Sequence, residues 1–130
     1  MRGRRDRTLL RRHVGARRAA LARQPVGMTR AEPATAELVR TAMREVAAVA
    51  RARDIALGEA DVERMMAVYR GFSADTTSSM QRDLAAGRPS ELEYQNGAVV
   101  RFGRAAGVPT PVHETIYASQ LPGEVLARQV

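Results

Sequence analysis

The sequence predicts an all-α domain, and three observations lead there. Apolar residues recur at steps of three and four through most of the chain, as on one face of a helix. Hydrophobic residues make up 45% of the 130 residues, but aromatics only 4% and Trp none. The core must therefore be built from Ala, Val, Leu and Met, which favours closely packed helices over a sandwich. Glycine and proline fall at the edges of the periodic stretches, where helices stop and start. A chain of this length reads as one domain that buries roughly two thirds of its unfolded surface.

Taken in order, residues 1–24 form an Arg-rich segment, residues 25–121 a helical domain and residues 122–130 a tail. In the first segment Leu9, Leu10, Val14, Ala16, Ala20 and Leu21 give a partial helical stripe broken by Gly15. Gln24 to Gly27 reads as a connection. A helix then follows in which Glu32 can cap, Pro33 suits the first position, and Leu38, Ala42, Val46, Val49, Ala50 and Arg53 share a face. It is expected to end near Arg53 and Asp54, since Asp tolerates a left-handed backbone.

The next helix spans about Asp61 to Arg70, with Val62, Met65, Met66 and Tyr69 inward; the paired Met residues suit gap filling. Gly71 to Thr77 is a loop. Ser78 opens a short helix that Gly87 stops. After Arg88-Pro89-Ser90 a longer helix turns Leu92, Asn96, Val99, Val100, Gly103 and Ala106 to the core and ends at Gly107. Thr110 caps a last helix from Pro111 that carries Val112, Ile116 and Tyr117, and Pro122-Gly123 ends it. The tail is expected to be disordered.

Composition excludes several classes. With no Cys there are no disulfides or thiolate metal sites, and His13 and His113 lie too far apart in sequence to suggest a local ligand pair. No apolar run approaches a membrane span and no secretory pattern opens the chain, so a cytoplasmic, soluble protein is expected. No two glycines stand two positions apart, so GxGxxG is absent. All 21 basic residues are Arg, and without lysine there is no P-loop.

The charge is uneven. Residues 1–30 carry ten Arg against Asp6 alone, whereas residues 31–130 carry eleven Arg against thirteen acids, so the net +7 arises entirely in the first thirty residues. Such a cluster can pair with nucleic-acid phosphates, but no aromatic interleaves it and no binding motif follows, so a solvated or frayed helix is the expected reading.

Three stretches carry a family resemblance: REVAAVARARDIAL at 44–57, SSMQRDLAAGRPSELEYQNGAVVRFGRAAGVPTPV at 78–112, and HETIYA at 113–118. SSM, QRDL, GRPSE, NG and GVPTP in this order make the middle stretch the specific one. The chain from Pro25 to Ala118 resembles the C-terminal helical domain of ketopantoate reductases (2-dehydropantoate 2-reductases), of the 6-phosphogluconate dehydrogenase C-terminal-like class. The resemblance implies a domain that meets an NADPH-binding Rossmann domain and helps to reduce ketopantoate to pantoate in pantothenate biosynthesis.

The resemblance places the family's substrate-contacting serine at Ser79 and its substrate-binding glutamate at Glu91. At a helix start, free amides and the positive dipole end favour a keto acid's carboxylate near Ser79, whose hydroxyl adds a donor. The same dipole keeps Glu91 ionised as an acceptor for a substrate hydroxyl. Both residues also suit plain helix-start roles, Ser78 and Ser79 as caps and Glu91 as a first-turn carboxylate. Asn96 can hydrogen-bond across an interdomain cleft, or serve as a core amide satisfied by backbone.

The chain departs from the family where a catalytic lysine and asparagines are expected before Pro25. Arg11 or Arg12 can stabilise charge on a ketone oxygen but are poor proton donors, and His13 can donate in principle. His113 stands where asparagine is common. A truncated or split reductase, inactive alone and binding no NADP(H) by itself, is the leading expectation. The alternatives are a helical association module, docking on a separate Rossmann-domain partner chain or forming a homodimer, and a basic nucleic-acid-binding protein.

Overall fold

The computed structural model describes residues 24–129. Among them are six α-helices: α1 Val26–Ala31, α2 Pro33–Ala52, α3 Glu59–Arg70, α4 Ser79–Ala85, α5 Ala98–Ala106 and α6 Pro111–Arg128, with a π-helical turn at Glu93–Gly97 leading into α5. The described residues contain no strand. The all-α class predicted from periodicity is the class observed.

Helix α2 is the axis of the domain, touching α1 and α3 on one side and α5 and α6 on the other. Its sequence allows this because small and medium apolar residues occupy more than one face. Val39, Met43, Ala47 and Ala50 join Val26, Leu57, Val62, Met66 and Tyr69 in one buried cluster. Ala42, Glu45 and Val49 are also buried, and Glu45 faces α6. A single amphipathic stripe was expected, so Leu38 and Arg53, placed on it, are exposed instead. The Arg53 guanidinium lies 3.9 Å over the Phe102 ring.

Three helices end as glycine and Asp54 foretold, by the same device. At α2, Asp54 takes φ 61°, and Ile55 N–H reaches back to the Ala50 carbonyl at 2.9 Å. At α4 and α5, Gly87 and Gly107 take φ 66° and 68°. Arg88 N–H then bonds the Asp83 carbonyl and Val108 N–H that of Gly103, both at 2.8 Å. A left-handed residue lets the next amide turn back on a carbonyl left over at the helix end.

The helix starts depart further from expectation. Residues 26–31, of which Val26 and Gly27 were read as connection and the rest assigned to no element, form α1, whose Val26 and Thr29 are buried, and whose Gly27 N–H bonds the Ala74 carbonyl at 2.8 Å. Helix α3 begins two residues early, because the Asp61 carboxylate accepts the Gly58 N–H at 2.9 Å. Neither Glu32 nor Thr110 makes a side-chain cap bond. Ala106, expected inward, is exposed.

The largest correction concerns the C-terminus. Pro122-Gly123 does not end the last helix, which runs on to Arg128 with Pro122 inside it. Proline costs one backbone hydrogen bond. The continuation buries Glu124 and Ala127 and ties Glu124 to the start of the preceding helical segment, so the expected tail is part of the domain.

Candidate functional site

Two consecutive helix starts form the candidate site. Ser78 is the cap of α4: its hydroxyl oxygen accepts the Gln81 N–H at 2.9 Å, and it is buried. Ser79 beside it is exposed. The two serines divide the work that the sequence left undivided, one holding the helix and the other facing solvent. With seven residues, α4 offers only a short dipole. Around it, Arg82 bonds the Thr77 carbonyl and hydroxyl at 3.2 and 3.1 Å, and Arg88 pairs with Asp83 at 3.0 Å.

Glu91 is exposed just before the π-helical turn, and its carboxylate accepts from Gln95 Nε2 at 2.5 Å. Ser79 and Glu91 thus lie on the surface at the heads of successive helical segments. No hydrogen bond joins them among the described residues.

Asn96 is placed differently. It is fully buried, so it does not open to solvent as a cleft residue does, and neither its amide nitrogen nor its oxygen has a partner among the described residues. The wide turn that carries it was expected as ordinary α-helix. Such turns occur inside α-helices, frequently at functional sites, and here the turn accompanies a polar side chain enclosed in the core.

The segment before Glu91 is held from a distance. Both oxygens of Glu124 accept the Ser90 N–H, at 2.9 and 3.0 Å, and one also accepts the Ser90 hydroxyl at 2.8 Å. The Ser90 oxygen in turn accepts the Leu92 N–H at 3.2 Å. Further along, Glu93 pairs with Arg101 and accepts the Tyr117 hydroxyl at 2.5 Å, which raises the phenol above its ordinary value.

A second buried carboxylate pins α6. Glu45 of α2 accepts the Val112 and His113 N–H groups at 2.8 and 3.0 Å and lies 2.6 Å from His113 Nδ1. Burial alone would push the Glu45 carboxyl up, but the His113 ring and then the two amides outweigh it and hold the group below the ordinary carboxylate range. Sequence reasoning missed both Glu45 and Glu124. Neither has a local motif, since their partners lie 67 or 68 and 34 positions away.

Arg11, Arg12 and His13, considered for the reacting oxygen, lie outside the described residues, as does the stripe of residues 1–23. Among the described residues no cluster of His, Asp and Glu could hold a metal ion, and no helix is long and apolar enough to cross a membrane.

A family model described as ketopantoate reductase PanE/ApbA C terminal matches residues 2–120, so the match takes in the Arg-rich segment that composition sets apart. The chain is 36% identical over 99 residues to a 2-dehydropantoate 2-reductase of Caulobacter vibrioides, covering 76% of this chain and 34% of that protein. It is 36% identical over 98 residues to one of Pyrobaculum aerophilum, covering 75% of this chain and 35% of that protein. The chain thus spans about a third of the length of the curated relatives it matches. Among solved structures, a dimeric ketopantoate reductase from Staphylococcus aureus superposes with a TM-score of 0.86 at 27% identity, over 92% of this chain and 42% of that one. A ketopantoate reductase from Ralstonia eutropha superposes at 0.84 and 28% identity, over 98% and 43%. Matched along nearly its whole length and sharing the helical fold of these reductases, the chain belongs to the ketopantoate reductase family and carries its C-terminal domain.

Proposed function

We propose that this chain supplies the substrate-holding half of a 2-dehydropantoate 2-reductase pocket. Ser79 donates its hydroxyl to the carboxylate of ketopantoate, and Glu91 accepts the hydroxyl at the other end of that small keto acid. The observation that carries this reading is that Ser79 and Glu91 are exposed at the heads of successive helical segments, while their neighbours Ser78 and Ser90 are buried and perform the capping. The Ser79 hydroxyl is spared the capping role, and the Glu91 carboxylate, which takes one donor from the Gln95 side chain, keeps its other oxygen for a ligand.

The described residues are helices and turns, whereas a dinucleotide is held by a strand, a glycine-rich turn and a helix. They do not fit NADPH, so we assign its site to a Rossmann domain outside these residues, in the rest of a longer chain or in a separate partner. When bound there, NADPH supplies the hydride for the reduction of ketopantoate to pantoate. The residues of this chain bind and orient the keto acid.

The test is a titration of the 15N-labelled chain with ketopantoate, followed by NMR. Amide shifts should concentrate at residues 78–82 and 90–95 and shrink in both Ser79→Ala and Glu91→Gln. Shifts scattered elsewhere, or unchanged in the two variants, would reject the reading.

A further inference from the structure

We propose, resting on the reading of Glu91 as a substrate contact, that Glu124 is its positioning residue. This carboxylate on the last helix fixes the main chain on both sides of Glu91 and so sets where Glu91 points. Glu124 is 3% exposed and lies past the proline that ought to have ended its helix.

The geometry is a clasp around a single residue, Ser90. Its N–H is shared between the two Glu124 oxygens, at 2.9 and 3.0 Å. Its hydroxyl donates to Glu124 at 2.8 Å and accepts the Leu92 N–H at 3.2 Å. Its carbonyl accepts from the Arg128 guanidinium at 3.2 Å, and Arg128 also backs the Glu124 carboxylate at 2.8 Å. Every polar group of Ser90 is therefore engaged, and Glu91 sits between two held amides.

A neutral acceptor would satisfy one amide equally well. Hydrogen bonds to an ionised group are shorter and roughly twice as strong, and here three of them converge on one carboxylate. That stiffness matters for a charged side chain that must meet a ligand in one orientation, because a loosely held contact group loses binding energy to ordering. Ser79 makes the contrast: its helix is capped locally by Ser78 and owes nothing to Glu124. The clasp acts on one end of the site only.

The test is a set of ketopantoate affinities measured on the full 130-residue chain, with helical content by circular dichroism as the check on folding. Glu124→Gln should weaken binding by about tenfold in the wild-type background. In the Glu91→Gln background the same change should alter affinity by less than about twofold, whereas with Ser79→Ala its effect should persist in full. Arg128→Gln keeps the Ser90–Glu124 bonds and removes the backing of the carboxylate together with the bond to the Ser90 carbonyl. It should give a smaller loss that Glu91→Gln also abolishes, which keeps the proposal testable if Glu124→Gln does not fold.

Wild-type affinity in Glu124→Gln, or an equal loss with and without Glu91, would overturn the positioning role and leave the site reading standing. No binding of ketopantoate by the wild-type chain would remove both.

Discussion

Glu45 and His113 meet in the core with 2.6 Å between a carboxylate oxygen and the ring Nδ1, and the same carboxylate takes the Val112 and His113 amides at the head of α6. Helix α2 thus supplies the cap that Thr110, at the cap position, does not. Glu45→Ala would leave two amides and a ring nitrogen without that acceptor, and should cost about 3 kcal/mol, read from urea unfolding.

The same pair sets an acid limit. Glu45 is held below its ordinary value of 4.5 in the folded state, so its contribution to stability is fully present above that value and is lost as pH falls through it toward the lower folded value. The unfolding midpoint of the wild type should drop across that window. Glu45→Gln should lose this part of the acid dependence while being less stable at neutral pH.

Ser78 and Ser79 should separate stability from binding. Ser78→Ala removes the cap on Gln81 N–H and should cost about 1 kcal/mol. Ser79→Ala, at an exposed position, should change stability by less than about 0.5 kcal/mol and yet weaken ketopantoate binding. The reverse pattern would assign the site to the wrong serine.

Gly103 is fixed by packing. A Cβ there would lie 2.8 Å from Thr110 Cγ2 and 2.9 Å from the Val108 carbonyl oxygen, both in the tight turn between α5 and α6. Gly103→Ala should cost about 2 kcal/mol by thermal unfolding, as overpacking does. Gly107 has open space around its Cβ direction but φ 68°, so Gly107→Ala should cost about 1 kcal/mol from backbone strain alone.

Asn96 tests the core from the other direction. Its buried amide has no partner among the described residues, a state that costs about 1–3 kcal/mol. Asn96→Leu, close in volume, should therefore raise the melting temperature. A fall would mean that the amide has a partner, such as an enclosed water.

Much of the fold was legible because helix ends are local events. Gly87, Gly107 and Asp54 were read as stops, and each adopts the left-handed backbone that a stop requires. Val62, Met66 and Tyr69 were read as core from spacing alone and are buried. Where local rules failed, a distant contact had intervened. Pro122 should have ended α6, but burial of Glu124 and its bonds to Ser90 carry the helix on to Arg128. A stripe was expected on α2, but a helix packed on both sides has no single face to display.

The candidate site divides in the same way. Ser79 and Glu91 could be proposed because the stretch that carries the family resemblance is contiguous and contains both. Which of two serines caps, that Asn96 is enclosed, and that Glu124 holds the residue before Glu91 could not, since each depends on which side chains become neighbours once the chain has folded. By itself the sequence determined most of the helices, most of their ends and the family. The tertiary structure alone decided how the helix starts are secured: a carboxylate finds its amide partner through space, and no periodicity along the chain encodes a meeting between residues 34 or 68 positions apart.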